Sequence, residues 1–175
     1  MKLLIYTTHR TGSTSLAQLL MTHYNCDYQR EGFYKNKNFS KIVNSIDNII
    51  IKLTPSEVNY ELVRNDFDKC IVLTRNNIRE QAESRLYAEY VKKYFSPYMI
   101  DDSFLKENEI EINRMEQIIK TENEILNKCE NCLKITYEDL YYGDGLKLIE
   151  KYLGITTVLT LDNSKKYRNG KRNMI

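Results

Sequence analysis

The residues best suited to chemistry stand together near the start of the chain, in Thr7-Thr8-His9-Arg10-Thr11-Gly12-Ser13-Thr14-Ser15. An apolar run, Leu3-Leu4-Ile5-Tyr6, precedes them, and Leu16-Ala17-Gln18-Leu19-Leu20 follows. The string reads as a buried strand, a tight loop and the start of a helix. The first amides of a helix lack intrahelical partners and carry the positive end of the macrodipole. An anion can therefore sit there. Gly12 lets backbone approach the anion, Arg10 brings a fixed charge, and Ser13, Thr14 and Ser15 bring hydroxyls. A plain strand-turn-helix with a serine cap would read similarly. The string is not a Walker A loop, because it lacks the Gly-Lys-Ser/Thr ending and the longer spacing between glycines.

Other candidates lie further along. Cys70-Ile71-Val72-Leu73-Thr74 is an apolar run that ends at Arg75, and Ser84 falls on the helix expected next. Lys165-Lys166-Tyr167-Arg168-Asn169-Gly170-Lys171-Arg172 is the one concentrated basic patch. The four cysteines are Cys26, Cys70, Cys129 and Cys132. The last two form a lone CxxC, and the two histidines, His9 and His23, are remote from it in sequence. No metal is expected at so poor a ligand set.

These groups need a scaffold. At 175 residues the chain is long enough for one domain with a core, and residues 1–175 are expected to form it. A net charge of +2 argues neither for nor against nucleic acid, no nucleic-acid or membrane partner is expected, and no apolar run is long enough to span a bilayer or serve as a leader. A cytoplasmic protein with reduced thiols is expected. Hydrophobic spacing predicts helices over 13–23, 77–94, 101–126 and 145–153, and a short one over 55–64 capped by Thr54. Continuous apolar runs predict strands at 2–6, 48–53, 70–74 and 133–136. Strands that alternate with helices and lack a polar face predict a mostly parallel central sheet covered on both sides. Ligands of such sheets collect at the carboxyl ends of the strands, where these motifs fall.

The string His9-Arg10-Thr11-Gly12-Ser13-Thr14-Ser15-Leu16 resembles the 5′-phosphosulfate loop of sulfotransferases. It is closest in style to the bacterial trehalose and nodulation-factor types. Arg75 and Ser84 resemble that family's 3′-phosphate pair, although their nine-residue step is one longer than the commoner spacing. Tyr137-Glu138-Asp139-Leu140 is similar to a string after a late strand in the family. The resemblance implies a three-layer α/β fold of P-loop type. It also implies 3′-phosphoadenosine 5′-phosphosulfate as donor, adenosine 3′,5′-bisphosphate as product, and no metal.

The resemblance assigns roles as well. Arg10, Thr11, Gly12, Ser13, Thr14 and Ser15 would hold the 5′ end of the donor, with Arg10 meeting the leaving-group charge. Lys52, in Ile51-Lys52-Leu53-Thr54, would be the second cation. Threonine stands where the animal enzymes have their basic histidine. Glu31, in Arg30-Glu31-Gly32-Phe33, therefore becomes the expected base, with His9 and His23 as competitors. Arg168, Gly170 and Lys171 resemble the loop that closes over the 3′-phosphate, and a basic terminal tail would read the same. The implied acceptor is a hydroxyl on a sugar or other small molecule. Family members are longer, so the acceptor pocket is expected to be open, or completed by a second subunit as in a homodimer, or by a bulky acceptor. Two other functions fit the loop: a P-loop nucleotide or nucleoside kinase, and a nucleotide-binding module without catalysis.

Overall fold

The computed structural model describes residues 1–29, 39–91 and 100–161. Five strands form one sheet: β1 (Lys2–Thr7), β2 (Asp27–Gln29), β3 (Ile49–Leu53), β4 (Lys69–Thr74) and β5 (Leu133–Thr136). Their order is β2-β3-β1-β4-β5. Every pairing is parallel, with Leu4 in register with Ile51 on one side and Cys70 on the other. The sheet is thus wholly parallel among the described residues.

Both faces are covered, which is why β1, β3 and β4 read as unbroken apolar runs. On one face Leu3, Ile5, Ile50, Ile71, Leu73 and Ile135 meet Leu16, Ala17 and Leu20 of α1 (Ser13–Tyr24). Leu140 and Tyr141 of α7 (Tyr137–Tyr142) and Ile149 of α8 (Gly145–Leu153) complete that layer. On the other face Leu4, Tyr6, Ile49, Ile51, Leu53 and Val72 meet Phe39 and Val43 of α2 (Phe39–Ser45) and Tyr60 and Val63 of α3 (Tyr60–Val63). Leu126 of α6 (Glu109–Asn127) joins them. Helix α4 (Ile78–Val91) packs on α6 through Ala82, Ile112 and Ile119, and α5 (Asp102–Glu107) precedes α6. Leu16 and Leu20 are fully buried. Each such side chain contributes roughly 1.5–3 kcal/mol.

Three local features differ from the expectations. The segment after β3 is a turn, not a helix from Pro55. Thr54 O accepts from Glu57 and Val58 N–H (3.0 and 3.2 Å), while the Glu57 carboxylate takes the Thr54 N–H and hydroxyl. These reciprocal bonds close the turn on itself. The helix starts only at Tyr60, behind an Asn59 whose side chain accepts from Glu61 N–H at 2.9 Å. The expected helix over 101–126 is two. Asp101 caps the first by accepting from Phe104 N–H, and both the backbone and side-chain N–H of Asn108 donate to Phe104 O, ending it there. Last, β2 and α2 were not expected. Three residues of strand and seven of helix are too short to show a period.

The strand order changes direction beside β1. The connections through β2 and β3 run to one side of it, and β4 and β5 lie on the other. The loop after β1 therefore opens at the topological switch point, where parallel sheets leave a crevice.

Candidate anion-binding site

Two left-handed residues shape the loop after β1. Arg10 has φ 65° and Gly12 has φ 77°, with Thr11 between them. Alternation of this kind points successive backbone N–H groups into one concavity, the geometry of an anion nest. Gly12 caps α1 without a side chain, so no cap hydroxyl or carboxylate occupies the amides of Ser13, Thr14 and Ser15. A Cβ on Gly12 would lie 2.6 Å from Cε2 of Tyr141. Glycine is required there both by φ and by space.

Threonines hold the loop from inside. Thr7 Oγ1 donates to Leu73 O of β4 at 2.7 Å and shares a 2.6 Å hydrogen bond with Thr11 Oγ1. Thr11 Oγ1 also reaches Thr8 O at 3.1 Å. Thr7, Thr8 and Thr11 are fully buried. The Thr11 hydroxyl thus shapes the loop. Gln81 of α4, also fully buried, donates through Nε2 to Thr8 Oγ1 and His9 O, each at 2.6 Å. Its Oε1 has no hydrogen-bond partner among the described residues.

Cations converge on the same loop from neighbouring elements. Arg10 Nε donates to Ser84 Oγ of α4 at 2.8 Å. The first expected subsite and half of the second are therefore joined directly. Lys52, at the carboxyl end of β3 and 7% exposed, donates through Nζ to Thr14 Oγ1 at 3.3 Å. Burying an ammonium is costly unless it is satisfied, so its position beside the helix start is a specific arrangement.

Arg75 leaves the end of β4 and is 2% exposed. Its Nη2 pairs with Glu80 Oε2 at 2.5 Å, and its guanidinium carbon stands 4.6 Å from the centre of the Tyr137 ring. The string Tyr137-Glu138-Asp139-Leu140 supplies more than a marker of the fold. Tyr137 lies under Arg75. The Glu138 carboxylate accepts from Asn76 and Asn77 N–H at 3.0 and 3.3 Å, fixing the approach to α4. Asp139 forms a reciprocal capping box with Thr136. Tyr141, one residue beyond, lies against Gly12, and burial pushes its hydroxyl pKa up.

A pocket of about 540 Å³ adjoins Arg75 on the β5 side, lined also by Thr74, Asn76, Lys120, Asn123 and Lys134. The loop residues 10–15 do not line it. Of the competing bases, His9 gives its carbonyl to Gln81, and the His23 ring lies against Tyr24 at the far end of α1. Ten residues of helix, about 15 Å, separate His23 from the loop. Glu31, Arg168, Gly170 and Lys171 lie outside the described residues. Gln81 fits the local style of the resemblance ahead of Ser84 with no role assigned to it, and Tyr141 is unmarked in the sequence. Only packing reveals both as positioning residues.

No protein-family model and no curated protein sequence matches the chain. Its fold is similar to that of mouse sulfotransferase SULT7A1 complexed with PAP, with TM-score 0.56 and 16% identity over 89% of this chain. The chain spans 59% of that protein's length. It is also similar to shikimate kinase from Bacteroides thetaiotaomicron, with TM-score 0.55 and 11% identity over 89% of this chain and 99% of the kinase. An uncharacterized protein from Eubacterium ventriosum matches with TM-score 0.50 and 13% identity, over 88% of this chain and 98% of that one. At such identities the likeness shows the fold alone: a three-layer α/β fold of the P-loop type. Among the described residues no helix is long and apolar enough to cross a membrane.

Proposed function

We propose that this chain is a sulfotransferase that moves a sulfuryl group from 3′-phosphoadenosine 5′-phosphosulfate to a hydroxyl of a sugar or other small molecule. The observation that carries the reading is the convergence of Arg10, Lys52 and Ser84 on a nest-shaped loop at the start of α1. The nest and the helix start suit an anionic 5′ group. The cations would meet the charge that grows on the departing phosphate, and fixed donors of that kind favour the transition state over the ground state. Arg75 and Ser84, with Arg168, Gly170 and Lys171, would take the 3′-phosphate. Guanidinium groups suit it because they bind phosphate in a fork.

Glu31 is proposed as the general base. As the acceptor oxygen bonds to sulfur, its proton passes to the carboxylate. The bond from sulfur to the bridging oxygen breaks, and the negative charge left on the 5′-phosphate is met by Arg10 and Lys52. The protein is proposed to act as a single domain in the cytoplasm, with an acceptor pocket left open or completed by a second copy.

A kinase reading has one observation in its favour: the kinase neighbour is matched over almost its full length. Against it, the loop lacks the Lys that follows the last glycine of a Walker A motif. Thermal melting separates the two. A ligand bound only by the native state raises Tm with its concentration over Kd. Adenosine 3′,5′-bisphosphate without metal is expected to raise Tm more than ATP with magnesium. A shift with ATP-magnesium and none with the bisphosphate replaces the sulfotransferase with a kinase.

A further inference from the structure

Three of the four cysteines meet at the amino end of the sheet, opposite the loop. Cys70 is the second residue of β4, and Cys129 and Cys132 lie in the turn from α6 to β5. Asn131 takes a left-handed conformation, φ 59°, in the turn just before Cys132. Cys129 is the deeper of the pair. It is 3% exposed in the core, and its Sγ contacts Ile125 O at 3.6 Å. Cys70 stands beside Cys132 across the β4–β5 pair, where Ile71 is in parallel register with Leu133, and the Tyr60 hydroxyl lies 2.9 Å from the Cys132 sulfur. Cys132 is partly exposed, Cys70 is buried, and a cleft of about 280 Å³ lined by Tyr60, Cys70, Glu130 and Asn131 opens beside them.

As a thiol Cys132 donates to Glu130 O at 3.2 Å, and the Tyr60 hydroxyl donates to the same carbonyl at 2.9 Å, so the sulfur sits among polar groups. The Cys70 thiol, the Tyr60 hydroxyl and the charge of Lys134 together pull the Cys132 thiol down to about 7, while the Cys132 sulfur and burial push Cys70 up, and burial pushes Cys129 up. The thiolate is the nucleophile of cysteine chemistry, and its reactivity follows exposure and local charge. One partly exposed nucleophile thus stands beside one buried thiol that can resolve it.

We propose that Cys132 is a peroxide-reactive site and that Cys70 is its resolving thiol. The Cys132 thiolate attacks one oxygen of a hydroperoxide. The O–O bond breaks, and Cys132 becomes a sulfenic acid as hydroxide or alkoxide leaves and takes a proton from water. The Cys70 sulfur then attacks the Cys132 sulfur. The sulfenic oxygen leaves with the Cys70 proton as water, and the product is a Cys70–Cys132 disulfide. Two thiols have lost two electrons to the peroxide. The bridge ties the start of β4 to the turn before β5, 62 positions along the chain, so the oxidised protein melts at a higher temperature.

The test uses the full native chain and hydrogen peroxide. Brief oxidation, alkylation of the remaining thiols and peptide mapping should give a cross-link between the Cys70 and Cys132 peptides. Cys26, partly exposed but with its thiol pushed up by burial, serves as the internal control. In Cys70→Ser, dimedone should label Cys132 at least tenfold faster than Cys26. In Cys132→Ser no cross-link should form. Native-state alkylation of the unsubstituted chain gives the same comparison should a variant fail to fold. A Cys129–Cys132 cross-link, or labelling of Cys132 no faster than Cys26, overturns the proposal.

Discussion

Replacing Gly12 with alanine tests whether the loop is shaped as described. Two separate costs meet at this residue. Its φ of 77° is a left-handed conformation, which costs an L-residue roughly 1–2 kcal/mol. Its new Cβ would stand 2.6 Å from Tyr141 Cε2 and 3.0 Å from the Tyr141 hydroxyl. Tyr141 is 7% exposed and cannot swing away, because its ring is packed on Tyr137 within the core. Overpacking of that kind costs roughly 1–3 kcal/mol. The expected loss is therefore roughly 2–5 kcal/mol, or about 4–20 °C in Tm for a chain of this size. The two terms separate in a cycle with Tyr141→Leu, measured by urea unfolding. Leucine removes the far edge of the ring and leaves φ untouched. In that background Gly12→Ala should cost only the roughly 1–2 kcal/mol of the backbone term. An equal loss in both backgrounds shows that Tyr141 does not bear on the loop. No loss in either refutes the left-handed turn itself.

Other perturbations probe the site and its support. Arg75→Ala should weaken adenosine 3′,5′-bisphosphate about tenfold or more, by removing a charge-assisted bond of roughly 1.5–3 kcal/mol. Titration calorimetry against adenosine 5′-phosphate, which should lose little, checks that the effect belongs to the 3′ group. Glu31→Gln should cut sulfate transfer roughly a hundredfold or more while bisphosphate affinity stays near that of the unsubstituted chain. Unchanged turnover moves the base elsewhere. Arg85→Ala should destabilise the α4–α6 pair, because it leaves the buried Glu122 carboxylate without its 3.2 Å partner. Breaking such a pair costs up to roughly 3–5 kcal/mol. Burial already pushes the Glu122 carboxyl up, and Arg85 holds it down. Without Arg85 the cost is that of a bare charge, so the deficit should be largest at neutral pH and shrink as falling pH protonates Glu122. A deficit that grows toward acid pH rejects this account.

Much of this protein is legible along the chain. The runs at Leu3–Tyr6, Ile49–Leu53 and Cys70–Thr74 are apolar without alternation, and only a sheet covered on both faces buries such runs. The order of strands and helices then leaves little besides a parallel α/β fold. The loop is legible for the same reason. Glycine, arginine and hydroxyls between a strand and a helix are local in sequence, so their chemistry needs no distant partner to be read. The breaks at Asn59 and Asn108 escaped because a side chain competing with its own backbone outweighs propensity over one turn.

Tertiary structure decided which of those groups face one another. Arg10 could have pointed to solvent, and packing of α4 against the loop sets it on Ser84. Lys52 meets Thr14 only because β3 lies beside β1. Gln81 and Tyr141 looked like ordinary helix residues, yet one clasps the Thr8–His9 backbone and the other fills the space that forces glycine at position 12. The three cysteines are 59 and 3 residues apart in sequence, and the parallel register of β4 with β5 is what sets Cys132 beside Cys70. A sequence carries its periodicities and local donors. Contacts between residues far apart in sequence arise only when the burial of apolar faces sets the elements side by side.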